Sequence, residues 1–370
     1  MIARLLVKSL VVLICLLSLC DAAFSQTWGS IEYLDWWAEN SPVSVPLITR
    51  NNNPIYDASL ANPGTQIIFG AGSNRNAFDF GGINGGRISV GTWLNAVNQF
   101  GIEASAFALA QAENSFTASS VNGAIPVVNI PFVSIPPGSA DVLVRPGVAN
   151  TATVNDKFQV ASVELNSLYN LHSQQFVPLV ILAGLRYMNV NEGLVLQDTS
   201  YPAGSPPTII RDHFSTNNNF YGIQLGARSN FAYHSFIMGV TAEVAAGEND
   251  QTLSIKGLSS SGTLQEPIGL FAESTNSGHF SHHEFAILSS LQAKIAYQWK
   301  PYVRPFITYD FIYLNHIIRP GKEIDPNINV SQNNLLGGSG VLSGPAVPAV
   351  KFNSVGMWMQ GFGIGVEVDC

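Results

Sequence analysis

The sequence predicts an all-β protein: a transmembrane, antiparallel, up-and-down β-barrel of about ten strands, with twelve as the alternative. Three observations lead to this fold class. The chain is apolar but poor in charge, its apolar and polar residues alternate in many short segments, and the connections between those segments are long and short in turn. Alternation with a period of two is typical of β-strands that have two unlike faces.

The composition separates this chain from an ordinary soluble enzyme. Of its 370 residues, 46% are hydrophobic and only 11% are charged, whereas soluble domains usually carry about 25% charged residues. The net charge is −8 and no polybasic segment occurs, so nucleic acid is not an expected partner. Beyond the N-terminus no apolar run reaches the roughly 18 residues that a membrane-spanning helix requires.

The first 25 residues have the layout of a secretory signal peptide. Two basic residues precede an apolar run that ends at Cys20, and small residues follow. We expect cleavage after Ser25, with lipidation at Cys20 as the alternative. The mature chain, residues 26–370, then keeps Cys370 as its only cysteine, so it cannot form an intramolecular disulfide.

The final segment, SVGMWMQGFGIGVEVDC, shows the strand pattern most clearly. From Trp358 onward the even positions are apolar apart from Gln360, and from Gly361 onward the odd positions are glycines followed by Glu367 and Asp369. We interpret the apolar face as facing lipid and the glycine face as leaving room inside a barrel. Nine further segments alternate in the same way, near residues 28–38, 86–95, 100–112, 161–171, 178–188, 220–229, 235–246, 284–300 and 302–314.

The connections between these segments differ regularly in length. Outer-membrane barrels have short periplasmic turns and long external loops, so the pattern predicts an outer membrane and both chain termini on the short-turn side. The long connections lie near residues 39–85, 113–157, 190–219, 247–283 and 315–353. The short connections lie near residues 95–99, 172–176, 230–234 and 299–302.

Aromatic residues cluster near the predicted strand ends. Such residues form two girdles at the headgroup levels of membrane barrels, although aromatic residues also favour strands in general. The predicted girdle comprises Trp93, Tyr169, Tyr187, Tyr221, Tyr297, Trp299, Tyr302 and Tyr309.

Several segments resemble the putative beta-barrel porin family 7, outer-membrane proteins found chiefly in planctomycete-type bacteria. They are EYLDWWAENSPVSVPLIT, GGRISVGTWLNAVNQFGIEASAFALAQ, SVELNSLYN, LAGLRYMNV, FSTNNNFYGIQLGARSN, RPFITYDFIYLNHIIRPGKEIDPNINVSQ and MWMQGFGIGVEV. They follow the family's order over most of the mature chain, and IIRPGKEID is the most specific of them. The resemblance implies an outer-membrane β-barrel and, from the family's name, a pore. It implies no catalytic residues.

The charged residues of the strands are predicted to face the barrel interior, because an arginine or lysine facing lipid would cost about 2–4 kcal/mol near the midplane. Inside, they can line a narrow channel for small polar solutes, which we favour, or pair with one another and fill a closed structural barrel that acts through its external loops. The predicted interior set is Arg87, Glu103, Glu164, Arg186, Arg228, Glu243, Lys294, Arg304 and Asp310.

Other chemistry has weaker support in the sequence. His213 follows Asp212, but no spacing singles out a hydrolase triad. The segment HFSHHE places three histidines beside Glu284, which in an exposed loop are usually only solvated, so we predict no metal, no cofactor and no enzymatic activity. The expected partners are outer-membrane lipids, small polar solutes or ions, and the barrel-assembly machinery.

Overall fold

A computed structural model describes residues 26–120, 125–136, 138–144, 147–171 and 178–369. Ten antiparallel strands form one ring in it, because the last strand pairs with the first. Closure of the ring leaves no sheet edge in the membrane-spanning part, as lipid requires, so the predicted ten-stranded barrel is confirmed. Within the described ranges no helix is long and apolar enough to cross a membrane. The predicted signal peptide and Cys370 lie outside these ranges.

The barrel strands are numbered in chain order. They are β1 Gln26–Ala38, β2 Ile83–Trp93, β3 Phe100–Leu109, β4 Ala149–Asn170, β5 Leu179–Tyr201, β6 Thr208–Tyr233, β7 Phe236–Ser261, β8 Gly278–Tyr297, β9 Val303–Ile317 and β10 Val355–Asp369. The connections contain short strands at Ser41–Pro42, Pro46–Asn51, Gln66–Gly70, Ala77–Phe78, Ala112–Ser120, Val127–Asn129, Pro131–Ser134, Ser139–Val142, Leu264–Glu266 and Asn327–Ile328, and single 3-10 turns at Pro320–Lys322, Val330–Gln332 and Asn334–Leu336.

The strands β4–β7 extend far beyond the lipid-facing band. They contain 22 to 26 residues, whereas a tilted strand needs only about 9–11 residues to cross a bilayer. The band ends where Tyr187 pairs with Tyr221, because the next outward-facing pair is Asn189 with Asn219. The strand segment Ala112–Ser120 continues the line of β3 and pairs with the outer part of β4.

Long loops were predicted near residues 190–219 and 247–283. Most of these residues lie in strands instead, so the prediction was wrong for most of both segments. Strands β5 and β6 are joined only by residues 202–207, and most of the remaining residues continue the sheet. Their inward positions include buried apolar side chains, for example Leu194 and Phe214, together with buried polar ones such as Asp198. Those side chains pack on external connections rather than on lipid, which is why the sheet can continue into water.

Four external connections fold back into the outer end of the barrel. Leu47, Phe132, Phe271 and Ile318 come from the connections within residues 39–82, 110–148, 262–277 and 318–354 respectively. Together with inward residues of the extended strands they form one apolar cluster, here called the outer core. Its other members are Val43, Val45, Ile48, Phe69, Phe78, Val128, Ile130, Ala152, Val154, Leu194, Leu196, Ile210, Phe214, Leu253, Ile255, Leu270, Ala272, Ile324 and Ile328.

The glycines of β10 lie against large side chains of the neighbouring strands. A Cβ atom on Gly361 would lie 2.3 Å from Cδ1 of Trp36, and one on Gly363 would lie 1.9 Å from Oε1 of Glu32. Both distances are shorter than van der Waals contact allows. The glycine face of β10 therefore makes room inside the barrel for side chains from β1.

We predict that Gly363→Ala destabilises the folded barrel by about 1–3 kcal/mol, the usual cost of overpacking a filled interior. The matched control is Gly86→Ala, whose added methyl group would meet only a backbone oxygen at 3.6 Å. Denaturant unfolding, followed by heat-modifiable gel mobility, measures the difference between the two variants. Equal midpoints for both variants and the wild type would contradict this account of β10.

Candidate functional site: the charged lumen

A cavity of about 420 Å³ occupies the part of the lumen nearest the short turns. Strand-end residues such as Gln26, Trp93 and Asp369 line its mouth, and Phe107 and Ile312 lie at its inner end. All nine charged residues predicted to face the interior contribute to its wall, and Glu32, Glu367 and Asp369 join them.

The alternation of the strands separates these charges from lipid. On β5 the Arg186 side chain is 6% exposed, whereas its neighbour Leu185 is 60% exposed on the outer surface of the barrel. The same two-residue period runs through the other strands, since adjacent side chains point to opposite faces of a sheet. The charged residues therefore meet one another and water rather than acyl chains.

The first of two inner charge groups centres on Arg87 of β2. Its Nη1 atom lies 3.1 Å from Oε2 of Glu32 on β1, and its Nη2 atom lies 2.9 Å from Oδ1 of Asp310 on β9. The guanidinium also lies over the rings of Trp36 and Phe107, at 5.4 and 5.9 Å from their centroids. Arg87 thus pairs with carboxylates from two strands, and its guanidinium packs over two aromatic rings.

The second inner group centres on Arg186. Its Nη1 atom lies 3.1 Å from Oε2 of Glu164 and 3.4 Å from Oε2 of Glu243. The Gln224 side-chain amide donates to both carboxylates, at 3.2 Å and 3.1 Å. This group links the four consecutive strands β4 to β7 along the wall of the lumen.

Two further groups lie nearer the mouth. Arg228 donates two hydrogen bonds to Glu103, at 2.9 and 2.6 Å, which is the strong bidentate geometry of a guanidinium with a carboxylate. Glu367 accepts from both Lys294 and Arg304, and Arg304 also pairs with Asp369. Every cation of the predicted interior set therefore has a carboxylate partner.

Glu32 was missed at the sequence level because both faces of β1 are apolar around it. Its inward neighbours Leu34 and Trp36 are as hydrophobic as the lipid-facing residues of the same strand. The alternation of odd and even positions alone therefore could not show which face of β1 points inward. Glu367 and Asp369 were placed on the polar face of the last strand, but only their pairing with Arg304 shows what they contact.

An apolar layer closes the cavity on its inner side. All ten barrel strands contribute to it, and its members are almost entirely buried, so it crosses the whole lumen. Trp36 and Phe107 lie within it with ring centroids 5.0 Å apart. The other members are Leu34, Ala38, Ile83, Leu109, Phe158, Val160, Met188, Val190, Phe220, Ala245, Ala286, Leu288, Ile312, Leu314, Ile317, Met357 and Met359.

Arg319 joins the external connections to the barrel wall beyond this layer. Its side chain is fully buried, its Nε atom lies 3.0 Å from Oε2 of Glu192 on β5, and its Nη2 atom donates to the same carboxylate. Its Nη1 atom also donates to the backbone oxygens of Glu39 and Asn40, at 3.3 and 3.1 Å. Arg319 belongs to the segment IIRPGKEID, and sequence reasoning assigned it no role.

Several carboxyl groups are buried in the outer part of the barrel, outside the membrane-spanning segments. Burial and the neighbouring Glu192 raise the pKa of Asp156 to about 7. Burial and the nearby Asp212 carboxylate raise the pKa of Glu273 to about 8. Burial likewise raises the pKa of Asp198 to about 7, although Asn150 donates a hydrogen bond to it. These groups hold protons more tightly in the folded protein than in an unfolded chain.

Only some residues of the predicted aromatic girdle lie at strand ends on the lipid-facing surface. Six of its members lie on the outer face, namely Tyr169, Tyr187, Tyr221, Tyr297, Trp299 and Tyr302. Trp93 lies on the inner face instead, because it is an even number of residues from Arg87 on the same strand. It lines the cavity beside Trp28, with ring centroids 5.8 Å apart. Tyr309 faces lipid about halfway along the band, opposite Ala293. The predictions for Trp93 and Tyr309 were therefore wrong.

The weaker candidates do not form sites. Asp212 points inward and accepts the backbone N–H groups of Leu270, Phe271 and Ala272 at 2.9–3.1 Å, while the adjacent His213 points to the other face of β6. Two such residues cannot act as a dyad.

The histidines of HFSHHE are divided in the same way between the two faces of β8. His283 pairs with Glu248 on the outer surface, with Nδ1 3.0 Å from Oε1, and His282 packs near Phe352. In the part of the chain that the structure describes, no three His, Cys, Asp or Glu residues are arranged to hold a metal ion.

The closed ring, the apolar outer face and the charged interior define an outer-membrane β-barrel. The sequence pattern of one family, described as "Putative beta barrel porin-7 (BBP7)", matches residues 28–370, and the chain belongs to that family. The resemblance noted in the sequence is thereby confirmed.

Two solved structures resemble this chain at low sequence identity and low TM-score. The outer membrane protease OmpT from Escherichia coli is 11% identical, with a TM-score of 0.44 over 95% of this chain and 99% of that one. A FadL homologue from Pseudomonas aeruginosa is 8% identical, with a TM-score of 0.21 over 93% of this chain and 89% of that one. At these TM-scores neither similarity carries an argument about this chain. No curated protein matches the chain in sequence.

The buried carboxyl groups predict that the outer part of the barrel is more stable in acid than in alkali. Folding raises the pKa of Asp156, Asp198, Asp212, Glu273 and Glu323 to between about 6 and about 8. Their contribution is complete below the unfolded pKa of about 4 and is lost as the pH rises through about 6 to 8. Melting temperatures measured from pH 5 to pH 9 should fall, and Asp156→Asn should flatten the curve. A melting temperature that rises over this range would contradict the prediction.

Removing Arg319 should destabilise the outer end strongly. Arg319→Met leaves Glu192 buried without a cation, a change that typically costs about 3–5 kcal/mol. We expect faster proteolysis of the external connections and a lower unfolding midpoint. The double variant Arg319→Met/Glu192→Gln, which removes both charges, should recover part of the loss. If Arg319→Met unfolds at the wild-type midpoint, the ion pair does not hold the outer end together.

Proposed function

We propose that the protein is a porin-like outer-membrane channel for the passive passage of small polar solutes, closed at rest by the apolar layer. One observation carries the proposal: a charged cavity reaches from the short-turn end to the apolar layer, beyond which lies the outer core. The Arg228 and Lys294 side chains are 24% and 26% exposed, so water enters this part of the lumen. Membership in a porin family supports the same function.

The size of the barrel argues for a narrow and gated passage. About eight strands leave an interior just filled by side chains, and 16–18 strands leave an aqueous channel. Ten strands lie close to the filled end of that range. Hydrophobic constrictions can gate a pore by excluding water, and the apolar layer has the composition of such a constriction. Opening requires its side chains and the connections beyond it to move.

A second candidate function is a closed barrel that acts through its outer surface. The outer core favours it, because four external connections fold around their own apolar cluster instead of leaving the mouth open. Such a compact outer end is a stable surface for contacts with other molecules. In this case the lumen charges serve only to hold the barrel together.

Removing rings from the apolar layer separates the two candidates. In planar bilayers the wild-type protein should show rare, small current steps, and Trp36→Ala/Phe107→Ala should show frequent, larger ones because two packed rings are lost. The control is Trp358→Ala/Phe362→Ala, which removes two rings from the lipid face, and heat-modifiable gel mobility establishes that each variant is folded. Silence from the folded Trp36→Ala/Phe107→Ala variant would overturn the channel proposal and favour the second candidate.

A further inference from the structure

The charges of the cavity are unevenly distributed along its depth. Near the mouth the groups balance, since Arg228 faces Glu103, and Lys294 and Arg304 face two carboxylates. At the inner end each arginine is shared by two carboxylates. Each inner group therefore carries one negative charge in excess when its carboxyl groups are ionised.

The two inner groups are neighbours on the wall of the lumen. Ser290 and Gln292 lie two residues apart on the inner face of β8. Ser290 donates to Glu243 at 3.2 Å and accepts from Arg186, while Gln292 donates to Asp310 at 2.9 Å. The excess negative charge of both groups is thus concentrated at one end of the cavity.

Asp310 has an unused acceptor at this point. The residue is 4% exposed, and its Oδ2 atom is buried with no hydrogen-bond partner among the described residues, although Oδ1 binds Arg87 and Gln292. A buried acceptor without a donor is costly. The site therefore lacks a hydrogen-bond donor and, when its carboxyl groups are ionised, a positive charge.

An ammonium group supplies both, whereas a metal ion fits poorly. An ammonium ion is a compact positive charge with three N–H donors. A metal ion needs several ligands converging on one point, and here the guanidinium of Arg87 lies between Glu32 and Asp310. Across the described ranges no three carboxylate, histidine or cysteine residues converge in that way. A neutral solute would leave the excess charge unbalanced.

We propose that the inner end of the cavity binds small primary ammonium compounds that enter from the short-turn side, with Asp310 as the residue that contacts the ammonium group. The inference concerns the same lumen as the proposed function and rests on it in that respect only. A cavity of about 420 Å³ has room for a solute of this size. The bound cation would balance the charge of the Arg87 group without displacing an existing ion pair.

Titration calorimetry on the folded protein in detergent tests the proposal with n-butylammonium, n-butanol and butyrate as probes. We expect saturable binding of n-butylammonium alone, weakened at least tenfold by Asp310→Asn. The matched control is Asp369→Asn at the mouth, where Arg304 keeps Glu367 as its partner, and it should bind within about threefold of the wild type. If Asp310→Asn fails to fold, Glu164→Gln removes the excess charge of the second inner group from a side chain that is 20% exposed, and it should weaken binding severalfold.

Equal binding of n-butanol or butyrate, no binding of n-butylammonium, or binding unaffected by Asp310→Asn and Glu164→Gln would each overturn the inference. Current recordings test the proposed function separately. Binding without conduction leaves this inference standing and removes the channel, and conduction without ammonium binding does the reverse.

Discussion

The rest of the structure depends on the pairing of β10 with β1, because a sheet in lipid must satisfy all its backbone hydrogen bonds internally. That pairing runs from Trp28 with Asp369 to Ala38 with Met359 and turns an open sheet into a ring. Once the ring is closed, each strand has one lipid face and one interior face. Because the lipid faces disfavour charged side chains, the chain as a whole is poor in charge. Most charged residues of the spanning segments lie inside, where each cation has a carboxylate within reach.

Closure also fixes how the interior is filled. Ten strands enclose little space, so large side chains on one strand require small ones opposite. Trp36 and Glu32 on β1 occupy the room left by the glycines of β10, and Glu32 in turn holds Arg87. The glycine face of the last strand is therefore part of the same arrangement as the ion pairs of the lumen.

The sequence was sufficient to predict the ring of ten strands, because parity along a strand is a local property, and the nine charged residues assigned to the interior all line the cavity. Parity failed where both faces are apolar, as at Glu32. Trp93 and Tyr309 were misplaced because aromatic residues occur in the wall of the lumen and in mid-band as well as in girdles. The extended strands were missed because their inward residues contact external connections, and those contacts depend on long-range folding.

Arg319 shows a different limit. Its segment was recognised as distinctive, but its role depends on Glu192, which is 127 residues away, and on two backbone oxygens from another connection. No local pattern marks such a partner set. The charge of Arg319 alone would also have been misleading. It would have suggested an exposed side chain, because most arginines in proteins are exposed and few are fully buried.

The apolar layer that crosses all ten strands divides the interior into two parts with different surroundings. The ion pairs on the short-turn side line an open cavity, and the carboxyl groups beyond the layer are buried beneath the external connections. The packed side chains of the layer are therefore the boundary between a charge network that borders water and one that is buried in protein.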